Sequence, residues 1–224
     1  MNTIPTIYLC DDDARVRDAL SFLLRQHELF VSAHASGPEL LAAIDAMAKP
    51  VRGVFVLDVR MEPMSGPQLH EQLLARGMGE RNPVIFLSGH GDVPIVVKAM
   101  TRGAFNFVEK PYTDDTLVPM LRQALALEPV WFARVERRAG LHELSTRLTP
   151  QQRRVLPMVA AGMLNKVIAD KLSLSVRAIE EHRAKLFDRL GVGSAAELAT
   201  LLAEMRAAGL DLNAGDAPGG GATS

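Results

Sequence analysis

Asp11, Asp12 and Asp13 form a run of three carboxylates, and Asp58, Ser88 and Lys110 follow at intervals of 46, 30 and 22 residues counted from Asp12. Each of these groups comes directly after a short apolar run, so a sheet of parallel strands would deliver them all to one rim. Carboxylates packed together repel, each raising the others' pKa, unless a cation stands among them. Hard oxygen ligands with open positions suit Mg2+. A metal bridging a phosphoryl group to such a pocket would neutralise the charge that develops when a carboxylate attacks phosphorus. In that chemistry Asp58 is the nucleophile and Lys110 the fixed counter-charge. Ser88 would donate a hydrogen bond to a phosphoryl oxygen, a contact that exists only when the group is present, which is what a switch requires. Taken singly, each residue has an ordinary alternative, because acidic residues after a first strand often cap the next helix.

The elements that must position these groups are written in the hydropathy. Apolar runs recur at residues 7–10, 30–33, 54–57, 84–87 and 105–108. Four or five apolar residues in succession suit a strand covered on both faces. Helical patterns separate them, and Ser36-Gly-Pro-Glu39 and Ser65-Gly-Pro-Gln68 match the capping-box pattern of a helix start. Strand and helix alternate five times, which implies an α/β domain with a doubly wound, five-stranded parallel sheet over residues 1–127.

Beyond Leu127 the strand pattern stops. Residues 128–147 read as a partly helical linker carrying Trp131, Phe132 and Val135, and residues 148–210 as a small all-α domain. There, Thr149-Pro150-Gln151-Gln152 combines an N-cap, a proline at the first helical position and a glutamine three on. Pro157 falls inside that helix and predicts a kink or an early stop. A helix over residues 165–172 and another capped by Ser175 are joined by a turn short enough for a helix-turn-helix. On the latter, Ile179, Leu186 and Leu190 share one stripe while Arg177, Glu181, Ala184 and Asp188 lie opposite, leaving a free face for a major groove. Glutamates there would accept from cytosine amino groups and Ala184 would touch a thymine methyl, with Lys166, Arg183, Lys185 and Arg189 on phosphates. A solvated face on a small bundle is the alternative. Ser194-Ala-Ala-Glu197 starts a fourth helix bearing Leu198, Leu201, Leu202 and Met205, and residues 211–224 read as a disordered tail.

Composition excludes other classes. The 224 residues are 48% hydrophobic and 23% charged, which rules out a disordered or fibrous chain. No run approaches the roughly 18 apolar residues that span a bilayer. One cysteine forbids an intrachain disulfide, and the N-terminus lacks a leader pattern, so a cytoplasmic protein is expected. The net charge of -1 hides a gradient: residues 1–127 carry 12 Lys/Arg against 15 Asp/Glu, and residues 148–192 carry 8 against 4. That modest basic patch fits phosphate contact or a solvated helix.

Residues 4–125 resemble the receiver domain of a two-component response regulator, with its flavodoxin-like fold, through Tyr8-Leu-Cys-Asp-Asp-Asp13, Leu57-Asp-Val-Arg60, Met64-Ser-Gly66, Leu87-Ser-Gly-His-Gly-Asp92 and Glu109-Lys-Pro111. The resemblance implies phosphorylation of Asp58 by a sensor histidine kinase, Mg2+ held by Asp11, Asp12, Asp58 and the Arg60 backbone carbonyl, and no ligand role for Asp13. It further implies a cis Lys110–Pro111 peptide, a switch pair of Ser88 and Phe107, and control of phosphoryl lifetime by Arg60 and His90. Phe107 as a plain core residue and His90 as a plain loop residue remain alternatives. One departure is Glu62, where the family usually has proline. Residues 148–202 resemble a LuxR-type DNA-binding domain through Leu148-Thr149, Val155-Leu156, Asn165-Lys166, Ile168-Ala169, Leu172, Ser175, His182-Arg183 and Leu190-Gly-Val192. This puts base reading on Glu180, Glu181 and Ala184, among a DNA-contacting set of Asn165, Lys166, Arg177, His182, Arg183, Lys185 and Arg189. His182 is equally readable as structural. Gln152 and Ala178 stand for the usual glutamate and threonine, and the fourth helix would pair two domains or simply cover the bundle.

Together the two modules resemble a FixJ/NarL-type response regulator, not an enzyme. Its partners would be a sensor kinase, double-stranded promoter DNA and a second copy on phosphorylation; the resemblance also allows RNA polymerase as a partner. The rivals are a phosphorylation-independent regulator or interaction module, and an enzyme working through an aspartyl phosphate. The latter would need a substrate cap and a second catalytic acid, for which no segment is evident.

Overall fold

The computed structural model describes residues 4–48, 50–89 and 91–210, so the expected tail lies outside the described residues. The chain divides into two compact units at Val135 and Glu136.

In the first unit, β1 (Thr6–Cys10), β2 (Val31–His34), β3 (Gly53–Asp58), β4 (Val84–Ser88) and β5 (Asn106–Glu109) form one sheet of order β2-β1-β3-β4-β5. Each neighbouring pair is parallel. The strands match the apolar runs to within a residue at the ends; Phe30, read as strand, stays outside β2 and exposed. Period-two alternation splits the runs of β1, β3 and β4 between two layers. Ile7 and Leu9 of β1, with Val54, Val56, Ile85 and Leu87, pack on Leu20 and Leu24 of α1 (Ala14–Gln26) and on Leu117 and Leu121 of α5 (Asp114–Thr146). Tyr8, Cys10, Phe55, Leu57 and Phe86 face α2 (Gly37–Asp45), α3 (Gly66–Ala75) and α4 (Val93–Thr101). Helices on both faces make the sheet doubly wound, as the pattern predicts. β1 and β3 approach so closely at Gly53, whose φ is +133°, that a side chain's first carbon would lie 1.8 Å from the Thr6 carbonyl oxygen. The Cys10 thiol is fully buried, and burial pushes its pKa up to about 12.

α5 is the main difference from the sequence reading. The stretch over residues 128–147, expected to be only partly helical, continues the same 33-residue helix to Thr146, straight through Pro119 and Pro129. A proline removes one hydrogen bond from a helix, and neighbouring contacts offset that loss here. Glu128, fully buried, accepts from Arg52 Nε and Nη2 at 2.6 and 2.8 Å and from the Gly53 N–H at 3.3 Å. The Arg52 guanidinium also lies 4.3 Å from the Phe132 ring centre, and Trp131 meets Phe105 edge-on with ring centres 6.1 Å apart.

The second unit contains the end of α5, then α6 (Pro150–Ala160), α7 (Asn165–Leu172), α8 (Val176–Leu190) and α9 (Ala195–Ala207). Leu141, Val155, Leu156, Val159, Ile168, Ile179, Leu186, Leu198 and Met205 make its core. The Thr149–Gln152 capping box forms, and α6 runs on through Pro157 to Ala160 instead of stopping, with Val155, Leu156 and Val159 buried around it. Ser65 and Gln68 also form the reciprocal box. At Ser36 and Ser194 only half of the pattern holds. The glutamates three residues on instead accept the N–H one residue earlier, that of Ala35 and of Gly193.

Candidate acidic site and helix-turn-helix surface

The sheet order reverses direction between β1 and β3, and at such a switch point two adjacent strands leave a crevice at their carboxyl ends. Asp11 follows β1 there and Asp58 ends β3, both buried. Lys110, after β5, reaches across to them, its Nζ 2.6 Å from Asp58 Oδ1 and 3.0 Å from Asp11 Oδ2. The other oxygens are also engaged: Asp58 Oδ2 accepts the Arg60 N–H at 2.8 Å and Asp11 Oδ1 the Asp13 N–H at 2.9 Å. Gly66, opening α3, lets this edge close. A side chain there would begin 2.2 Å from the Asp58 carbonyl oxygen.

The electrostatics follow from burial. Desolvation holds the Asp58 pKa above the ordinary carboxylate value, reinforced by Asp11 and only partly opposed by Lys110. For Lys110, burial disfavours the charge, but hydrogen bonds to Asp58 and Asp11 outweigh it and the pKa rises. One ammonium therefore leaves this crevice with surplus negative charge.

Of the residues singled out in the sequence, Asp11, Asp58 and Lys110 meet. Asp12 stays exposed at the mouth, its Oδ2 accepting the Glu62 N–H at 3.2 Å. That contact gives the Glu62 departure a physical meaning, since a proline there would have no N–H to donate. Asp13 is drawn away: it N-caps α1 and pairs with Arg15. Ser88 is buried beside the crevice with its hydroxyl on the Val108 carbonyl at 3.4 Å, and Phe107 is 41% exposed, not in the core. Both Lys110–Pro111 and Glu62–Pro63 are cis. His90 lies outside the described residues.

Sequence reasoning missed two groups. Arg17 donates from Nη1 to the Asp11 carbonyl at 2.8 Å, one helical turn into α1. Asp92, 1% exposed, takes the Arg60 Nε at 2.8 Å, and its second oxygen takes the Gly89 N–H at 2.8 Å. Asp92 closes the Leu87–Asp92 stretch that carries the receiver resemblance, but its pairing with Arg60 was not expected.

The donor set is all carboxylate oxygen, which suits a hard divalent ion. Among the described residues no three His, Cys, Asp or Glu side chains form a ready-made metal cage. Mg2+ is usually held by one or two carboxylates plus water and phosphate oxygens, so Asp11 and Asp58 meet its requirement.

In the second unit, Ser173 takes a left-handed conformation, φ 53°, to turn the chain from α7 into α8. Ile179, Leu186 and Leu190 are buried, while Arg177, Glu180, Glu181, Ala184, Lys185, Asp188 and Arg189 are exposed together with Lys166 on α7. His182, Arg183 and Asn165 are half-buried. Several expected contact residues are partnered within the unit. Lys185 pairs with Glu181 at 2.5 Å, and Arg183 lies over the Phe187 ring and donates to Asn165 at 3.4 Å. Arg189, expected on a phosphate, donates to Gln152 Oε1 at 2.7 Å and to the Arg147 carbonyl at 3.1 Å, tying the end of α8 to the start of α6. No helix among the described residues is long and apolar enough to cross a membrane.

Comparison with known proteins assigns both units. Residues 7–122 match the response regulator receiver domain, and residues 146–202 match the bacterial regulatory proteins of the luxR family. The chain is 36% identical over 196 residues to the C4-dicarboxylate transport transcriptional regulatory protein DctR of Rhodobacter capsulatus, covering 88% of this chain and 98% of that protein. It is 36% identical over 192 residues to the transcriptional regulatory protein FixJ of Azorhizobium caulinodans, covering 86% and 89%. The solved structure of the response regulator StyR aligns with a TM-score of 0.73 at 33% identity, over 90% of this chain and all of that one. The chain therefore belongs to the response regulators of two-component systems that carry a receiver domain and a LuxR-type DNA-binding domain.

Proposed function

We propose that this is a cytoplasmic transcription regulator in which Asp58 accepts a phosphoryl group from a sensor histidine kinase, and that the added charge promotes a homodimer that binds promoter DNA. The observation that carries this reading is the position of Lys110 Nζ between the Asp58 and Asp11 carboxylates at the β1/β3 crevice. Asp58 Oδ bonds to phosphorus as the P–N bond of the kinase phosphohistidine breaks, and the electron pair returns to the imidazole nitrogen. Lys110 stands ready to neutralise an oxygen of the transferred group. Asp11, Asp12, Asp58 and the Arg60 carbonyl would hold Mg2+, which supplies further neutralisation of phosphoryl charge. Ser88, at the end of β4, then trades its weak bond to Val108 for a phosphoryl oxygen, and Phe107 changes its exposure at β5.

The output is carried by the second unit. The exposed face of α8 enters a major groove, Glu180, Glu181 and Ala184 meet base edges, and Asn165, Lys166, Arg177, His182, Arg183 and Lys185 set the register on phosphates. Arg189 serves the unit's own packing in the free protein and reaches DNA only by giving up Gln152. In this reading residues 1–127 are the phosphoacceptor domain, 128–147 the connecting helix and 148–210 the DNA-binding domain. RNA polymerase is the further partner of a regulator so built.

Intact-mass spectrometry after incubation with acetyl phosphate and Mg2+ tests the first step. A transient gain of one phosphoryl group, absent in Asp58→Asn, supports it. An unshifted mass at every time point overturns it. Light scattering with beryllium fluoride and Mg2+ then tests the dimer.

A further inference from the structure

Asp92 occupies the N-cap position of α4, yet its side chain makes no capping hydrogen bond. Its carboxylate is buried and points elsewhere, one oxygen to the Arg60 guanidinium and the other to the Gly89 N–H, both at 2.8 Å. A side-chain cap would satisfy one of the helix's unpaired N–H groups, so this geometry is not the one that best stabilises the helix. Arg60 is held at two points. Its backbone N–H donates to Asp58 Oδ2 and its side chain, 71% exposed, to Asp92. One residue thus joins the phosphoacceptor to the start of α4, whose first N–H groups, those of Ile95 and Val96, lean on the Asp92 carbonyl.

We infer that Asp92 is a positioning residue that latches the resting state, competing with a phosphoryl group on Asp58 for the Arg60 guanidinium and holding the Gly89 N–H out of use. The inference rests on the phosphoacceptor reading of Asp58. A phosphoryl dianion offers three strong acceptors two residues from Arg60, and a planar guanidinium prefers such a group to a single carboxylate oxygen. When Arg60 turns to the phosphoryl group, Asp92 loses its charged partner. The Gly89 N–H and the first turn of α4 are then released. Ser88 immediately precedes Gly89, so the latch and the hydroxyl respond together.

The test uses the full-length chain as wild type, Asp92→Asn and Arg60→Gln. Phosphoryl gain and decay are followed by intact mass with acetyl phosphate and Mg2+, and amide exchange at the start of α4 by hydrogen–deuterium exchange without phosphoryl donor. Hydrogen bonds to charged groups are among the strong ones, so freeing Arg60 for the phosphoryl group should prolong the phosphoryl lifetime in Asp92→Asn by about tenfold. Both variants should exchange faster than wild type around Ile95 and Val96 at rest, whereas Arg60→Gln should show no prolonged lifetime. A merely structural role for Asp92 would loosen α4 without changing the decay rate, and that result overturns the inference. Unchanged exchange and decay in Asp92→Asn overturns it too. Should wild type itself gain no mass, the phosphoacceptor reading fails, a different outcome from either.

Discussion

At the rim of the sheet the charged groups are drawn into the protein, whereas on α8 they remain in water. Asp11, Asp58 and Lys110 are held by burial and by one another, so removing Lys110 leaves two buried carboxylates uncompensated. Glu181 and Lys185, at a similar hydrogen-bond distance, sit on an exposed helix face where water replaces a lost partner at little cost. The difference teaches that the first site is preorganised to respond to added charge, while the second keeps its charges loosely committed and available to a polyanion. Within the first unit the buried Arg52–Glu128 pair also has its charges locked, but beside Gly53, at the opposite end of β3 from Asp58.

Breaking the first site should have an all-or-none effect. Asp58→Asn should abolish phosphoryl uptake in the mass assay while raising the thermal midpoint slightly. The sign follows from the raised Asp58 pKa: its ionised form is disfavoured by the fold, so a neutral isostere relieves that cost above the ordinary carboxylate pKa. The buried pair should show the next largest effect. Arg52→Ala leaves the Glu128 carboxylate buried without a cation, and a urea titration should show a loss of about 3 kcal/mol, with helicity lost after Pro129.

The exposed surface should respond more gently. Lys166→Ala should weaken binding to all DNA sequences alike and lower the slope of log affinity against log salt by about 1, measured by fluorescence anisotropy. Acid should separate the units. Burial, with nearby Arg102, holds the His70 imidazole below its ordinary value of 6.5, so the fold keeps it neutral. Its contribution is complete above that value and declines as pH falls through it, because the unfolded chain takes the proton first. The first unit should therefore melt earlier at pH 5 than at pH 7, by less in His70→Leu. The smallest effect belongs to α8: Lys185→Gln should leave the urea midpoint unchanged within error, and a clear loss of stability would remove the contrast between the two sites.

Where sequence served well, the physics was local. The five strands came from runs of apolar residues, Ser65 and Thr149 announced their helices through residues three positions on, and Ile179, Leu186 and Leu190 fell on the buried stripe that a helical period requires. Asp58 and Lys110 were legible because a parallel sheet collects its strand ends on one side. What sequence hid depends on partners far along the chain. Glu128 meets Arg52 across 76 residues, and only that pairing, with Trp131 and Phe132, explains a helix that ignores Pro129. The role of Asp92 was hidden because nothing nearby in sequence reveals that Arg60 waits 32 positions earlier. Arg189 was read as a free cation, although Gln152, 37 residues away, accepts its hydrogen bond.

The contact between Trp131 and Phe105 has a practical side. Trp131 is the single indole in the chain, and Phe105 stands directly before β5, two residues from Phe107. Any rearrangement of that strand alters the quenching of one native fluorophore, so the molecule carries its own optical gauge of the β5 edge and needs no attached dye.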